Sequence, residues 1–203
     1  MTSERSRSRK SSSPAARWNR RYREGGNRGE DPSPLLLRAI ETIPPGSALE
    51  LACGAGRNAI ELARRGWKVT AIDVSPVAIE LLHERARNAK VEIDARVDNL
   101  ESPGFRLPRD RYDLVCDFYF LARDLFPQIR RAVRPGGRFV GSIHLVDDAP
   151  GIKPVNPAYL LEPGELRRQF RRWEILLDRE GKPEDSDHDR LTADLIARRR
   201  FAR

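Results

Sequence analysis

Cysteine is scarce in this chain of 203 residues, and long apolar runs are absent. The two cysteines, Cys53 and Cys116, lie far apart with no C-x-x-C spacing, which argues against a disulfide framework and against a zinc site. No apolar run approaches the roughly 18 residues of a membrane-spanning helix. The basic N-terminus lacks the apolar stretch of a secretory signal. We therefore expect a cytoplasmic protein that binds neither a metal nor a membrane.

The net charge of +8 comes from the two ends of the chain. Residues 1–33 contain nine basic and four acidic residues, and the last six residues contain four arginines. The stretch between them, 34–197, has 25 basic against 26 acidic residues. A nucleic-acid-binding domain usually carries its basic charge on the folded surface. We therefore expect at most weak, salt-dependent contacts of the tails with nucleic acid. An RNA-binding or RNA-methylating protein that uses its basic ends is one alternative function.

The composition predicts one folded domain over residues 34–203, preceded by a basic and largely disordered segment, 1–33. Residues 1–16 are rich in Ser and Arg without apolar periodicity, which is typical of disorder. A short helix is expected in the W-N-R-R-Y segment, residues 18–22. The sequence D-P-S-P, residues 31–34, is a strong break before the domain.

Strand-like and helical patterns then alternate along the domain. Strands are predicted at 47–51, 67–72, 91–97, 112–118 and 138–146. Helices are predicted at 35–42, 57–65, from a Ser75 cap to about 89, and at 121–133, with a turn at 135–137. A helix at 164–170 and two strands at 173–179 and 191–197 follow. The pattern predicts an α/β fold: a Rossmann-like, doubly wound sheet of five parallel strands plus a C-terminal antiparallel hairpin.

A glycine-rich segment, Leu49–Ala59, lies where the first predicted strand turns into a helix. Glycine there lets the backbone approach a ligand, and the helix N-terminus offers free N–H groups. Gly54 to Ala59 also fits the dinucleotide fingerprint G-x-G-x-x-A, and Asp73 stands nineteen residues after Gly54. A second alternative is therefore an NAD(P)-dependent oxidoreductase.

Acidic residues follow three successive predicted strands. Glu50, at the end of the first, would repel a pyrophosphate but attract an ammonium group. Asp73, at the end of the second, suits a carboxylate that accepts both hydroxyls of a ribose. Asp98, just past the third, could accept from an adenine amino group. Three such acids favour a cationic nucleoside over a dinucleotide.

The motifs in this order resemble those of class I S-adenosylmethionine-dependent methyltransferases over residues 45–200. They are E-L-A-C-G-A-G-R-N, A-I-D-V-S, the V-D after strand three, R-P-G-G and the terminal hairpin. L-A-C-G-x-G-R-N-A, together with P-x-x-L-L-x-P-G-E-L at 157–166, is similar to the tellurite-resistance and thiol methyltransferase group. Ala52 stands where the superfamily usually has the first glycine of this motif, although the resembled group often has alanine at that position.

The resemblance implies S-adenosylmethionine as the cofactor, bound by residues of the strand ends. The methionine part would meet Glu50, Ala52, Gly54 and Gly56, the ribose Asp73, and the adenine Asp98–Leu100. Asp117 and Phe118 would line the sulfonium side and the mouth of the acceptor pocket. The full predicted cofactor site is Glu50, Ala52, Cys53, Gly54, Gly56, Arg57, Asn58, Asp73, Val74, Asp98, Asn99, Leu100, Asp117 and Phe118.

The acceptor implied by the resemblance is a small molecule, a thiol or a chalcogen oxyanion, and the protein is expected to be a monomer or a homodimer. No catalytic residue is assigned, because a thiolate that attacks a sulfonium methyl needs alignment more than proton transfer. Both cysteines are expected to be buried and inert. The sequence leaves open whether residues 18–22 cover the cofactor or pack on the domain edge. It also leaves open the roles of His144, Tyr159 and the 147–163 loop.

Overall fold

A computed structural model describes residues 13–26, 29–147, 152, 155–185 and 189–201. Its centre is a seven-stranded sheet in the order β3-β2-β1-β4-β5-β7-β6. The first five strands run parallel, and β7 is antiparallel to both β5 and β6. The strands are β1 (Ser47–Leu51), β2 (Lys68–Asp73), β3 (Asp94–Val97), β4 (Tyr112–Phe118), β5 (Val133–His144), β6 (Glu174–Gly181) and β7 (Thr192–Arg198). The predicted parallel sheet with a C-terminal hairpin is confirmed.

Helices cover both faces of the sheet. They are α1 (Pro14–Arg23), α2 (Pro34–Ile40), α3 (Arg57–Arg64), α4 (Pro76–Ala89), α5 (Phe126–Ala132) and α6 (Glu165–Gln169). One core joins α2, α3 and α4 to the sheet and contains Cys116, whereas the other joins α5 and α6 to it and contains Val115. Neighbouring residues of β4 thus face opposite cores, as a strand with both faces covered requires. Within the described ranges, no helix is both long and apolar enough to cross a membrane.

Helix α1 begins earlier than the sequence predicts. Pro14 occupies the first turn, and the Ser13 hydroxyl caps the helix by accepting from the Ala16 N–H at 3.2 Å. Proline and a serine cap are both favourable at a helix start. The prediction of disorder is therefore wrong for residues 14–16, while residues 1–12 lie outside the described part of the chain.

Strand β3 and the helix before β5 also begin later than the sequence predicts. Strand β3 starts at Asp94 rather than at 91, because the Val91 N–H still donates to Ala86 O at 3.0 Å and completes the end of α4. The helix predicted over 121–133 is a 3-10 turn, Arg123–Leu125, followed by α5. Ala122 is extended, with φ of −132°, so the helix cannot begin before it.

The predicted turn at Pro135-Gly136-Gly137 is instead a bulge inside β5. Val133 pairs with Tyr112 and Arg138 with Leu114, so four residues of β5 stand opposite one residue of β4. The extra backbone groups bond to the chain after β7: Gly136 N–H donates to Arg199 O at 2.8 Å, and Arg199 N–H donates to Gly137 O at 2.9 Å. These bonds allow the segment to stay in the sheet.

Candidate cofactor and acceptor site

The glycine loop connects β1 to α3 in a tight, left-handed path. Ala52, Gly54 and Gly56 have φ of 49°, 56° and 81°. The Cys53 N–H donates to Ile72 O, and the Gly56 N–H donates to Cys53 O, both at 3.0 Å. The loop is therefore fixed against the end of β2, with its backbone at the carboxyl edge of the sheet, where open α/β sheets bind ligands.

Glu50 lies in β1 directly before this loop and is buried, with 3% of its surface exposed. Burial raises the pKa of Glu50 to about 7, although hydrogen bonds from Asn58 and the Ala59 backbone oppose the shift. Its Oε2 has no hydrogen-bond partner in the described structure. A buried carboxylate oxygen without a donor is costly. A ligand that brings a cationic donor to this point would satisfy it.

Asp73 and Asp98 follow β2 and β3 as the sequence predicts. The Asp73 carboxylate is buried, which raises its pKa, and accepts from the N–H groups of Gly54 at 2.9 Å and Ser75 at 2.8 Å. Asp98 is exposed, and its backbone N–H donates to Asp73 O at 3.0 Å. The structure thus aligns the ends of β2 and β3 beside the glycine loop. Binding of the cofactor by Asp73 and Asp98 stays a prediction.

The other predicted cofactor residues divide into loop neighbours and core residues. Asn58 is buried and accepts from the Ser33 N–H at 2.9 Å while it bonds to Glu50. Leu100 and Phe118 are buried in opposite cores, and Cys53 is buried within the glycine loop. Val74 and Asn99 follow Asp73 and Asp98 at the strand ends.

Arg57 makes contacts that the sequence does not reveal. Its guanidinium forms an ion pair with Asp185, from the loop between β6 and β7, and donates to Asp31 O at 3.3 Å. The Tyr119 hydroxyl donates to the same Asp185 carboxylate at 3.2 Å. Arg57 therefore ties the β6–β7 loop and the segment before α2 to the start of α3. No motif signals this cluster, because Arg57 and Asp185 are 128 positions apart.

We expect Asp185→Asn to lower the free energy of unfolding by about 1–3 kcal/mol, because it leaves the Arg57 charge largely uncompensated. The two side chains are only 16% and 8% exposed, so solvent screens the pair weakly. Urea denaturation measures the change. The control is Glu61→Gln, which breaks the half-exposed pair with Arg65 and should cost at most about 0.5 kcal/mol. Equal effects of the two substitutions would contradict this account.

Helix α1 packs over the glycine loop and the start of α4. The Ser75 hydroxyl donates to Asn19 Oδ1 at 2.6 Å, and Tyr22 packs with Ala55 and Ala78. A Cβ added at Gly54 would overlap the Tyr22 hydroxyl oxygen. Burial, together with the nearby Asp73, raises the pKa of Tyr22. Of the two arrangements that the sequence left open for residues 18–22, the structure places this helix against the glycine loop.

Asp117 is the residue before the last in β4, at the centre of the carboxyl edge. It pairs in register with Leu51 of β1 and Gly141 of β5, and only 2% of its surface is exposed. Burial raises its pKa well above the usual value, and its Oδ1 has no hydrogen-bond partner in the described structure. The chain then turns sharply at Tyr119, which has a φ of 61°.

The remaining predictions concern cysteine and histidine. Cys53 and Cys116 are both buried free thiols, as the sequence predicts, and burial raises the pKa of each well above its usual value. His144 is half-buried, and its ring lies 5.0 Å from that of Tyr119. No cluster of three metal-binding side chains occurs in the parts of the chain that the structure describes.

Comparison with known proteins gives consistent matches. A methyltransferase-domain family matches residues 48–137. Hemagglutinin 1 of Eikenella corrodens is 31% identical over 149 residues, covering 70% of this chain and 48% of that protein. The probable S-adenosyl-L-methionine-dependent methyltransferase TehB of Haemophilus influenzae is 26% identical over 150 residues, covering 70% of this chain and 50% of that protein. A probable thiol methyltransferase of Arabidopsis thaliana is 25% identical over 134 residues, covering 61% of this chain and 58% of that protein.

The crystal structure of TehB superposes with a TM-score of 0.69 at 23% identity, covering 81% of this chain and 61% of that one. The fold is that of the class I S-adenosylmethionine-dependent methyltransferases, and residues 48–137 match a methyltransferase-domain family. Within that class it is similar to the group of TehB and the thiol methyltransferases. The chain spans about half the length of these curated relatives.

Proposed function

We propose that this protein transfers a methyl group from S-adenosylmethionine to a small-molecule acceptor. The observation that carries the proposal is Glu50, a buried carboxylate with an unpartnered oxygen beside a left-handed glycine loop. The ammonium of a methionine moiety supplies the donor that Glu50 lacks. A pyrophosphate would instead bring negative charge to the same oxygen, which argues against the oxidoreductase alternative.

The residues fit the rest of the cofactor in the order of the strands. Asp73 retains lone pairs for ribose hydroxyls beside those used by Gly54 and Ser75. Asp98 is exposed at the next strand end, within reach of a base that lies along the edge. When bound, the cofactor supplies an electrophilic methyl group on a positively charged sulfur. The chain itself orients the reactants through the glycine loop and these strand-end acids.

A thiol or a chalcogen oxyanion is the acceptor that the sequence predicts, and the similarity to a probable thiol methyltransferase of Arabidopsis thaliana supports the thiol. The test is to incubate the protein with S-adenosylmethionine and a panel of thiols, selenium and tellurium oxyanions and RNA. We expect S-adenosylhomocysteine release and a methylated small molecule detectable by mass spectrometry. Turnover with RNA alone would contradict the proposal and favour the RNA alternative.

Helix α1 adds a cover to the proposed cofactor site. We expect Tyr22→Phe to weaken binding of S-adenosylhomocysteine about three- to tenfold, because the hydroxyl lies over Gly54 at the loop. The melting temperature should stay nearly unchanged, since the ring still packs with Ala55 and Ala78. Arg20→Lys, which alters an exposed side chain of the same helix, is the control. Unchanged affinity in Tyr22→Phe would show that α1 is only a structural element.

A further inference from the structure

The two edges of the sheet differ in charge, although residues 34–197 together are almost neutral. The acids of the proposed cofactor site lie at the carboxyl edge. At the amino edge, the end of α5, the segment after α6, the bulge of β5 and the end of β7 come together. These segments carry arginines and one phenylalanine. We call the following residues the amino-edge surface: Arg130, Arg131, Arg171, Arg199, Arg200 and Phe201.

Hydrogen bonds hold the segments of the amino-edge surface together. The Arg199 guanidinium donates to Arg131 O at 3.4 Å and forms an ion pair with Asp110 at 2.6 Å, which joins the end of β7 to α5 and to the segment before β4. The Arg130 guanidinium donates to Gln169 O at 2.9 Å, which joins α5 to α6. The arginines of this surface are therefore fixed near one another.

The acids nearby do not neutralise these arginines. Three of them already pair with arginines: Asp110 with Arg199 at 2.6 Å, Asp113 with Arg134 at 3.1 Å and Glu174 with Arg198 at 2.6 Å. By contrast, Arg131, Arg171 and Arg200 are exposed and form no ion pair with any residue that the structure describes.

The excess positive charge also acts within the surface. Burial, together with the charges of Arg131 and Arg171 nearby, lowers the pKa of Arg130. Like charges held together repel one another, and a bound anion relieves that repulsion. Several arginines side by side suit a ligand with several negative charges.

An exposed aromatic ring belongs to the same surface. Phe201 is 73% exposed, whereas phenylalanine is usually buried. Its ring lies against Gly136 in the bulge of β5, where an added Cβ would be 2.5 Å from Phe201 Cζ. The Gly136 N–H also donates to Arg199 O at 2.8 Å. The glycine therefore gives the ring a fixed place beside the arginines while most of the ring stays in solvent.

This combination favours nucleic acid over a membrane as the polyanion. Guanidinium groups bind phosphates, and an exposed aromatic ring stacks on an unpaired base. A membrane-binding surface usually presents several apolar side chains together. The other exposed large apolar side chains of the described residues come from β3, the loop after β5 and β6: Val97, Val155 and Leu176.

We propose that the amino-edge surface binds single-stranded nucleic acid, with phosphates on its arginines and an unpaired base stacked on Phe201. Strand β4 has seven residues, so it separates this surface from the carboxyl edge by about 20 Å at roughly 3.3 Å per residue. Nucleotides bound there lie too far from the proposed cofactor site to accept its methyl group. We infer binding alone, and the inference does not rest on the proposed function.

The test is fluorescence anisotropy of the complete protein, without cofactor, with labelled oligouridylate and oligothymidylate of about 15 nucleotides. We expect the wild type to bind at least one of them, with a slope of log affinity against log salt of about −2 or steeper. Phe201→Ala should weaken binding about fivefold to fiftyfold and leave the slope unchanged, because stacking releases no counterions. Phe201→Tyr, which keeps a ring, should bind as the wild type does.

The arginines should respond differently from the ring. Arg131→Gln and Arg171→Gln should each weaken binding and reduce the salt slope by about 0.7, the value of one phosphate contact on a single strand. The control with the same change of charge is Arg87→Gln. Arg87 is exposed in the last turn of α4, which packs against β2 and β3 at the far side of the sheet. This control should change neither the affinity nor the slope.

Four results would overturn the inference. They are the absence of binding to both oligonucleotides, equal affinity of Phe201→Ala and the wild type, a loss in Arg87→Gln as large as in Arg131→Gln, and Phe201-dependent binding to phosphatidylglycerol vesicles without binding to either oligonucleotide. Thermal unfolding shows whether each variant is folded. Binding of S-adenosylhomocysteine is measured separately, so its absence would contradict the proposed function and leave this test intact.

Discussion

Glu50→Gln is expected to weaken binding of S-adenosylhomocysteine by about tenfold to a hundredfold, because an amide cannot offer the ammonium a charged acceptor. The change keeps the size of the side chain, so the glycine loop should keep its shape. Above pH 7, Glu50→Gln without ligand should be more stable than the wild-type protein without ligand, because the substitution removes a buried charge. Calorimetric titration and thermal unfolding measure the two effects. An unchanged affinity would contradict the assignment of Glu50.

The same residue predicts a pH dependence whose sign follows from its pKa. Glu50 has a pKa of about 7 in the folded protein and 4.5 as its ordinary value. The folded state therefore binds the extra proton between these values, and stability falls as pH rises from about 4.5 to 7, by on the order of 3 kcal/mol in total. The affinity for the ammonium should instead increase as the pH rises towards 7, by up to tenfold per pH unit, because Glu50 becomes ionised. Glu50→Gln should lose both dependences.

Gly56→Ala is expected to destabilise the protein by about 2–4 kcal/mol, which combines left-handed strain with overpacking. Gly56 has a φ of +81°, and a Cβ there would lie 2.6 Å from Leu82 Cγ and 2.8 Å from Cδ1. Leu82 is fully buried in α4 and cannot move aside. The melting temperature should fall by roughly 5–15 °C.

Gly25→Ala is the matched control for this substitution. Gly25 has a φ of +85°, but a Cβ there would meet nothing within 4 Å. It therefore carries the backbone strain alone, about 1–2 kcal/mol. A loss of stability in Gly56→Ala no larger than in Gly25→Ala would show that contact with Leu82 does not determine the shape of the loop.

The sheet was predictable from the sequence because strand and helix periods alternate cleanly. Strands β1 and β4 have the predicted bounds, and the Ser75 cap starts α4 as expected. Glu50, Asp73 and Asp98 could be placed together because parallel strands end at the same edge. The bulge at residues 135–137 was not predictable, since its stability depends on Arg199, a residue far along the chain.

The coverings of the site could not be predicted either. The pair of Arg57 and Asp185 joins a helix start to a distant hairpin loop. The positions of the two residues in the sequence do not indicate that they form a pair. The position of Tyr22 over Gly54 depends on how α1 packs, which a short amphipathic segment does not specify. For Asp117 the resemblance indicated the region, but the missing hydrogen-bond partner is a property of the fold alone.

The central claim is that the carboxyl edge of this sheet binds S-adenosylmethionine. The most direct test is calorimetric titration of the protein with S-adenosylhomocysteine near pH 7.5, with NADH as the control ligand. The account predicts saturable binding of S-adenosylhomocysteine, weakened in Glu50→Gln, and no binding of NADH. Binding of NADH alone would contradict it, because a pyrophosphate would then lie beside Glu50.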